Sequence, residues 1–355
     1  MTKPSAVAIV AARSGGHILP GITLAKTMYN ENPTIPLVFF LSKNKLDEHI
    51  ASQSTVPATH FFIKLDNIAY KNPFKLLIFF YHAIVAFIQS LLILKRHRVA
   101  QVISMGGYLS IPVCLAAKLL RIPIELYELN VTPGKAVKFL SKIASKIHIC
   151  FQETSAYLAT NNLVVSSYPL KYQETDKVPV HQAKHIIGLS AQKKTVLISG
   201  GSQGSVFINK IIKQWIEFNP HLYSTIQIIH QTGSHDKTDW ATFYKSHNIT
   251  AITFTYHNDM HLYYNAADVI ISRAGAGSLF EIAFFEKPCV VIPLETRATD
   301  HQKYNAYAMA HHYPHLFTVL HEGHIKKNNT LLFSAISKNL TQATHLKSNE
   351  SLSLL

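Results

Sequence analysis

The chain has 355 residues, 48% of them hydrophobic and only 15% charged, which excludes disorder over most of its length and suits two domains better than one core. Its formal net charge of +14 implies an anionic partner, and without zinc-finger spacing, an RNA-stacking motif or an arginine-rich tract that partner is not expected to be nucleic acid. Cys114, Cys150 and Cys289 lie far apart inside apolar runs, which predicts buried thiols in a reducing compartment and neither a disulfide framework nor a zinc site.

The opening MTKPSAVAIVAARSGG has too short an apolar run for a secretory signal, and glycines with a helix pattern follow directly. A first buried strand in a cytoplasmic protein is expected. From there, strand-like runs alternate with helix-like stretches, the pattern of α/β layers on a parallel sheet. AVAIVAA, PLVFFLS, RVAQVISMG and IPIELYEL are the strands of the first half; KTVLISGG, TIQIIHQTG, AITFTY, ADVIISRAG and PCVVIPL those of the second. Each half opens with an apolar strand, a glycine turn and a helix, an internal echo that predicts two Rossmann-like domains. Polar residues and prolines in VVSSYPLKYQETDKVPV mark the boundary. The expected division is 1–166, a hinge at 167–180, 181–340, and a polar tail at 341–355.

One segment stands apart. FKLLIFFYHAIVAFIQSLLILKRHR, Phe74 to Arg98, is nearly all apolar from Leu76 to Leu94. It reads as a helix buried against the sheet, as a transmembrane span, or as a membrane-surface helix with Phe79, Phe80 and Phe87 in the lipid and Lys95, Arg96 and Arg98 on anionic head groups.

The chemistry lies in the turns. A dinucleotide site needs G-x-G-x-x-G at the first turn and an acid ending the second strand; here the turn is A-A-R-S-G-G-H and the strand ends FFLSKNK. No P-loop occurs. In VLISGGSQGSVFIN, Gly200, Gly201 and Gly204 allow close backbone approach, with Ser202, Gln203 and Ser205 as neutral donors at a helix start, a place for a diphosphate or simply a turn that helps strand and helix pack. In ADVIISRAGAGSLFEIA, strand DVIIS enters the loop Arg273-Ala274-Gly275-Ala276-Gly277 and a helix is expected near Ser278. Glu281 either closes a capping box with Ser278 or accepts hydrogen bonds from two ribose hydroxyls.

The turns GGH, MGGY, GGSQG, RAGAGSLFEIA and DHQKYNA, in this order from about Val7 to Met309, resemble the MurG family. These are UDP-N-acetylglucosamine transferases of peptidoglycan synthesis, and hence of cell-wall growth, shape and division. They are peripheral enzymes of the cytoplasmic face of the bacterial inner membrane with two Rossmann-like domains and an interdomain cleft, the GT-B fold. The resemblance implies an N-terminal acceptor- and membrane-binding domain and a C-terminal UDP-sugar domain. Ser14, Gly15, Gly16 and His17 would face the acceptor diphosphate and the donor sugar, with Tyr108, Glu128 and Asn130 lining the acceptor side. Ser202, Gln203 and Gly204 would cradle the donor diphosphate, and His257 would read uracil through its backbone. Arg273, Gly275, Ala276, Gly277 and Ser278 resemble the phosphate and N-acetyl contacts, Glu281 the ribose acid, and Gln302 the glutamine on the sugar hydroxyls.

Departures from the family pattern are Ala12 and Arg13 for extra glycines, YELN for HEQN, which puts Tyr127 and Leu129 at two acceptor-side positions, and Lys171 where a bidentate arginine would sit. The implied reaction is an inverting transfer from UDP-N-acetylglucosamine to the 4-hydroxyl of an undecaprenyl-diphospho-N-acetylmuramyl lipid, turning lipid I into lipid II. His17 is the first candidate base and Glu128 the second; His17 could instead only hydrogen-bond a phosphate. With no Asp-x-Asp in the chain, the GGSQG helix start and Lys171 would stabilise the leaving diphosphate, and neither metal nor other cofactor is expected. Alternatives are a different lipid or small-molecule acceptor, or a non-catalytic nucleotide-sugar-binding paralogue.

Overall fold

The computed structural model describes residues 5–12, 15–65, 73–201, 203–296 and 300–352, excepting the side chains of Pro73, Lys75 and 342–352. The chain divides into two compact units between Lys171 and Tyr172.

In the first unit β1 (Ala6–Val10), α1 (Gly15–Glu31), β2 (Leu37–Ser42), α2 (Lys45–Ser52), β3 (Thr59–Ile63), α3 (Pro73–Arg96), β4 (Val99–Ser104), α4 (Ser110–Leu119), β5 (Ile124–Glu128), α5 (Lys135–Leu140), β6 (Lys146–Ile149) and β7 (Leu163–Val165) follow one another. Their strands form one sheet in the order β3-β2-β1-β4-β5-β6-β7, parallel at every pairing. Strands β1 and β2 are buried at every residue, as a sheet covered on both faces requires. Helix α1 lies on β1 because position 21 is glycine: a Cβ there would stand 2.8 Å from that of Ala11.

The second unit runs α6 (Val180–Ile186), β8 (Lys194–Ser199), α7 (Val206–Phe218), β9 (Ile226–Gln231), α8 (Trp240–Ser246), β10 (Ala251–Phe254), α9 (His261–Ala266), β11 (Val269–Ser272), α10 (Ala276–Phe284), β12 (Cys289–Val291), α11 (His301–His312), β13 (Phe317–Val319), α12 (Glu322–Lys327) and α13 (Thr330–Leu352). Its sheet has the order β10-β9-β8-β11-β12-β13, again parallel throughout.

Both sheets reverse strand order at one place, between β1 and β4 and between β8 and β11. Ligands of open α/β sheets bind outside the carboxyl ends of the strands at such switch points. The four glycine turns singled out in the sequence leave β1, β4, β8 and β11, so each pair frames its own switch point.

Helix α3 has two apolar faces. Ala86, Ser90 and Leu94 are buried, and Phe79, Ala83, Phe87 and Leu91 pack beside them on the sheet core. On the opposite face Leu77 (67% exposed), Phe80 (55%), Tyr81 (65%), Ile84 (60%) and Leu92 (62%) stand in solvent at helical spacing. Phe79 and Phe87, grouped with Phe80 as lipid contacts from the sequence, are instead half-buried and packed against the sheet core. Lys95, Arg96 and Arg98 are exposed at and just beyond the helix end. Among the described residues this is the one helix long and apolar enough to cross a membrane, yet its inner face is occupied by the sheet.

Candidate active site

In the first unit, Gly15, Gly16 and His17 form the first turn of α1. His17 lies against the turn after β4: Cβ atoms added to Gly106 and Gly107 would stand 3.8 and 3.9 Å from its Nε2 and Nδ1. Both glycines take left-handed backbone (φ +89° and +84°), which a side chain would strain, so their bareness and torsions together make room for the imidazole. A closed ring of polar contacts holds the turn. Ser104 Oγ donates to Ser110 Oγ (2.6 Å), Ser110 Oγ lies 2.6 Å from the Gly106 carbonyl, and Gly106 N donates to Ser104 Oγ (3.1 Å). Tyr108, next in the turn, is half-buried against the core.

Glu128 ends β5 and is buried. One carboxylate oxygen accepts from Asn130 N at 2.9 Å and from Asn130 Nδ2 at 3.3 Å; the other accepts from Gly134 N at 2.9 Å. Burial raises its pKa above the usual carboxylate range, against the opposing pull of these donors. The side chain braces the 128–134 loop. Tyr127 points the other way along the strand and stacks on His148, centroids 4.2 Å apart and planes 13° apart. Leu129 is buried. The two YELN departures thus occupy framework positions.

In the second unit the loop between β8 and α7 is built by close backbone packing. Gly204 has φ +74°, and a Cβ there would come within 2.8 Å of Gly233 N and closer to Gly233 Cα and Thr232 O. Its glycine is demanded by that contact. Gln203 is exposed at the turn, and Ser205 caps α7, accepting from Ile208 N at 3.3 Å.

Arg273 stands behind this loop. It is buried, its Nη2 donates to Ser205 Oγ (2.7 Å), its Nη1 donates to the Ile292 carbonyl (3.1 Å), and it forms an ion pair with Glu322 (2.6 Å). Desolvation lowers its pKa, and Glu322 opposes that shift. Ser205, Ile292 and Glu322 thus engage the Arg273 fork from within the second unit. Helix α10 differs from expectation: it starts at Ala276 with Gly275 as N-cap and no side-chain cap. Gly277 and Ser278 thus lie inside its first turn, and the Ser278–Glu281 capping box is not formed.

Glu281 accepts instead from the Tyr264 hydroxyl at 2.9 Å, a contact across seventeen positions that the sequence did not disclose. His257 is exposed just beyond β10, its Nδ1 2.6 Å from the Asp259 carbonyl oxygen. Gln302, in the first turn of α11, accepts from Leu294 N at 3.0 Å and so tethers the loop after β12. Lys171 and Asn130 are half-buried. Arg13, Ser14 and Ser202 lie outside the described residues. Among the described residues no group of three His, Cys, Asp or Glu side chains is disposed to hold a metal ion.

Comparison with known proteins places these turns in a family. The models of the glycosyltransferase family 28 N-terminal and C-terminal domains match residues 7–149 and 195–351. The chain is 35% identical over 303 residues to the UDP-N-acetylglucosamine--N-acetylmuramyl-(pentapeptide) pyrophosphoryl-undecaprenol N-acetylglucosamine transferase of Protochlamydia amoebophila, covering 84% of this chain and 78% of that protein. It is 32% identical to the enzyme of the same name from Thermodesulfovibrio yellowstonii, covering 84% and 81%. Among solved structures it resembles MurG of Acinetobacter baumannii, with TM-score 0.69 at 22% identity over 96% of this chain and 94% of that one. It also resembles a UDP-GlcNAc 2-epimerase from Neisseria meningitidis bound to UDP-GlcNAc, with TM-score 0.58 at 13% identity over 95% and 93%.

Proposed function

The chain belongs to the MurG family of family 28 glycosyltransferases, and on that premise we propose that it transfers N-acetylglucosamine from UDP-N-acetylglucosamine to the 4-hydroxyl of undecaprenyl-diphospho-N-acetylmuramyl-pentapeptide. The observation that carries the donor half is the Glu281 carboxylate, held by Tyr264 one helical turn beyond the glycine loop at the β8/β11 switch point. A carboxylate fixed there suits the paired hydroxyls of a ribose, since its lone pairs accept from two donors at once.

Transfer requires removal of a proton from the attacking hydroxyl and stabilisation of charge on departing UDP. His17 is the base: its imidazole stands at the helix start against the Gly106–Gly107 turn, and histidine exchanges a proton near neutral pH. The diphosphate takes its charge compensation from the α7 N-terminus, from Lys171, and from Arg273 acting through the field behind Ser205. Gln203 and Gly204 meet the diphosphate, His257 the uracil, and Gly275 to Ser278 with Gln302 the sugar. On the acceptor side the first turn of α1, Tyr108 and Asn130 receive the lipid diphosphate and muramyl sugar.

The acceptor stays in its bilayer, so the enzyme docks peripherally on the cytoplasmic face of the membrane. The outer face of α3, with Lys95, Arg96 and Arg98 at its end, supplies apolar and cationic contact to anionic lipid. Framework positions for Tyr127 and Leu129 favour the muramyl acceptor over a different one.

Incubation with labelled UDP-N-acetylglucosamine and a short-chain N-acetylmuramyl-pentapeptide diphospholipid tests the reading. Disaccharide lipid and free UDP in equal amounts are expected. Tight UDP-sugar binding without transfer would move the acceptor to another molecule, and absence of UDP-sugar binding would end the enzymatic reading.

A further inference from the structure

Helix α9 stands between the loop that carries His257 and the helix that carries Glu281. Its start is fixed twice: Met260 N donates to the Tyr172 hydroxyl (3.0 Å), and Tyr264 N donates to the Met260 carbonyl (2.8 Å). The Tyr264 side chain is 2% exposed and reaches across to Glu281 Oε2. Its ring stacks on Phe285, centroids 5.3 Å apart, and meets Tyr172 edge-on at 6.3 Å; Tyr172 in turn packs edge-on to Phe285 at 5.1 Å. Two neighbouring rings that also pack on each other therefore hold the phenol in one place, and its only rotor of consequence is the O–H bond.

The direction of that hydrogen bond is settled by chemistry. Burial and the charge of Glu281 raise the Tyr264 pKa well above its usual value, so the phenol keeps its proton and donates it. A carboxylate can rotate about its last side-chain bond, which has no sharp torsional wells. A charge-assisted bond from a rigid donor removes that freedom. The aromatic cluster thus serves two jobs with one set of contacts: Tyr172 fixes the end of the base-side loop, and Tyr264 fixes the acid on α10.

We propose that Tyr264 is a positioning residue for nucleoside recognition, which sets the rotation of Glu281 so that the carboxylate distinguishes a ribose from a deoxyribose. The inference rests on Glu281 being the ribose acid, and adds the residue that makes it selective. Tyr264 touches no substrate. Its effect is on discrimination between sugars and leaves the strength of base and diphosphate binding nearly unchanged.

Binding of UDP, 2′-deoxy-UDP and 3′-deoxy-UDP to the full chain, by calorimetry, tests this with Tyr264→Phe and Glu281→Gln beside the wild type. Phenylalanine keeps the ring stack but gives up the bond to the carboxylate, so Tyr264→Phe should stay folded and melt a few degrees below the wild type. It should lower the preference for UDP over whichever deoxy analogue the wild type rejects by about five- to tenfold, and weaken the deoxy analogue itself less than twofold. Glu281→Gln should lower the same preference at least as far. If Glu281→Gln collapses the preference while Tyr264→Phe leaves it at the wild-type ratio, Tyr264 merely packs and the inference is overturned, with the ribose role of Glu281 intact. If Glu281→Gln leaves the preference untouched, the ribose role itself falls, and the inference with it.

Discussion

Lys184 on α6 places its ammonium 2.6 Å from the Asp268 carboxylate, with the two side chains only 2% and 1% exposed. The ammonium also donates to the Lys193 carbonyl at 2.8 Å, and the carboxylate accepts from Thr195 N at 2.8 Å. One ion pair thus ties α6 to the start of β8 and to the residue before β11, the two strands that frame the second switch point.

Breaking such a pair from one side leaves a buried charge without its nearest counter-ion; Lys194, 4.0 Å from the other Asp268 oxygen, only partly replaces Lys184. Asp268→Asn and Lys184→Met should each cost about 3–5 kcal/mol of stability, read as a large fall in the urea midpoint of the second unit. The double variant should recover much of that loss. Additive losses in the double variant would show that the two groups do not interact.

Gly201 and Gly204 both hold left-handed backbone (φ +82° and +74°), yet only Gly204 faces another backbone at close range; nothing lies within 4 Å of a Cβ at Gly201. Gly201→Ala should cost about 1–2 kcal/mol from its torsion alone. Gly204→Ala adds a collision with Thr232 and Gly233 that neither side can relieve, and should lower the melting temperature further and weaken UDP binding by more than tenfold. Equal, small effects at both positions would show that the loop is held elsewhere.

His230, wholly buried on β9, lies 3.0 Å from Asn209 Oδ1 through Nε2 and 3.0 Å from the Tyr244 hydroxyl through Nδ1. Burial lowers its pKa to about 3, with the charge of Asp236 opposing. The folded chain therefore keeps the ring neutral while the unfolded chain protonates it below its ordinary value of 6.5. Stability from this residue is complete above that pH and is lost as pH falls from 6.5 toward 3, with a limiting slope of about 1.4 kcal/mol per pH unit. His230→Gln should flatten the slope in denaturation curves across that interval. An unchanged slope would assign the acid sensitivity to other groups.

His17→Ala should lower kcat by about a hundred- to ten-thousandfold, the usual loss on removing a general base, with the KM for UDP-sugar little changed. Glu128→Gln gives up one accepted backbone hydrogen bond in its loop and should cost about 1–3 kcal/mol, raising the acceptor KM more than it lowers kcat. A kcat loss larger at Glu128 than at His17 would exchange their roles.

Leu77→Glu, Ile84→Glu and Leu92→Glu together alter only the outer face of α3. The triple variant should lose co-sedimentation with phosphatidylglycerol vesicles and still bind UDP as the wild type does. Ala86→Glu, on the fully buried face of the same helix, should unfold the first unit instead. Vesicle binding unchanged in the triple variant would place the membrane contact on another surface.

Much of this architecture is legible in the sequence because buried parallel strands are continuous apolar runs and the turns that follow them are marked by glycine. All nine expected strands are present, while β3, β6, β7 and β13 went unread. β3, β7 and β13 sit at sheet edges with mixed exposure, and β6 alternates exposed and buried residues, so none of the four shows the buried apolar run that marks the core strands. At the candidate site, residue types in the glycine turns were readable; their partners were not. Tyr264 for Glu281, Glu322 and Ser205 for Arg273, and Gly233 for Gly204 are each supplied by a different element, so no local pattern announces them. The faces of α3 illustrate the same limit: Phe79 and Phe80 are adjacent in sequence, and the helix sends one to the core and the other to solvent.

The outer strip of α3 also governs how the protein behaves when no bilayer is at hand. In plain buffer that strip offers each copy an apolar surface to adhere to, and the net charge of +14 is what holds copies apart. Salt shortens the reach of that repulsion to about 8 Å at physiological strength, while leaving the strip as sticky as before. Dispersion of the purified protein should therefore worsen as salt rises and recover on adding vesicles, so that the amount of usable enzyme follows the area of membrane supplied to it.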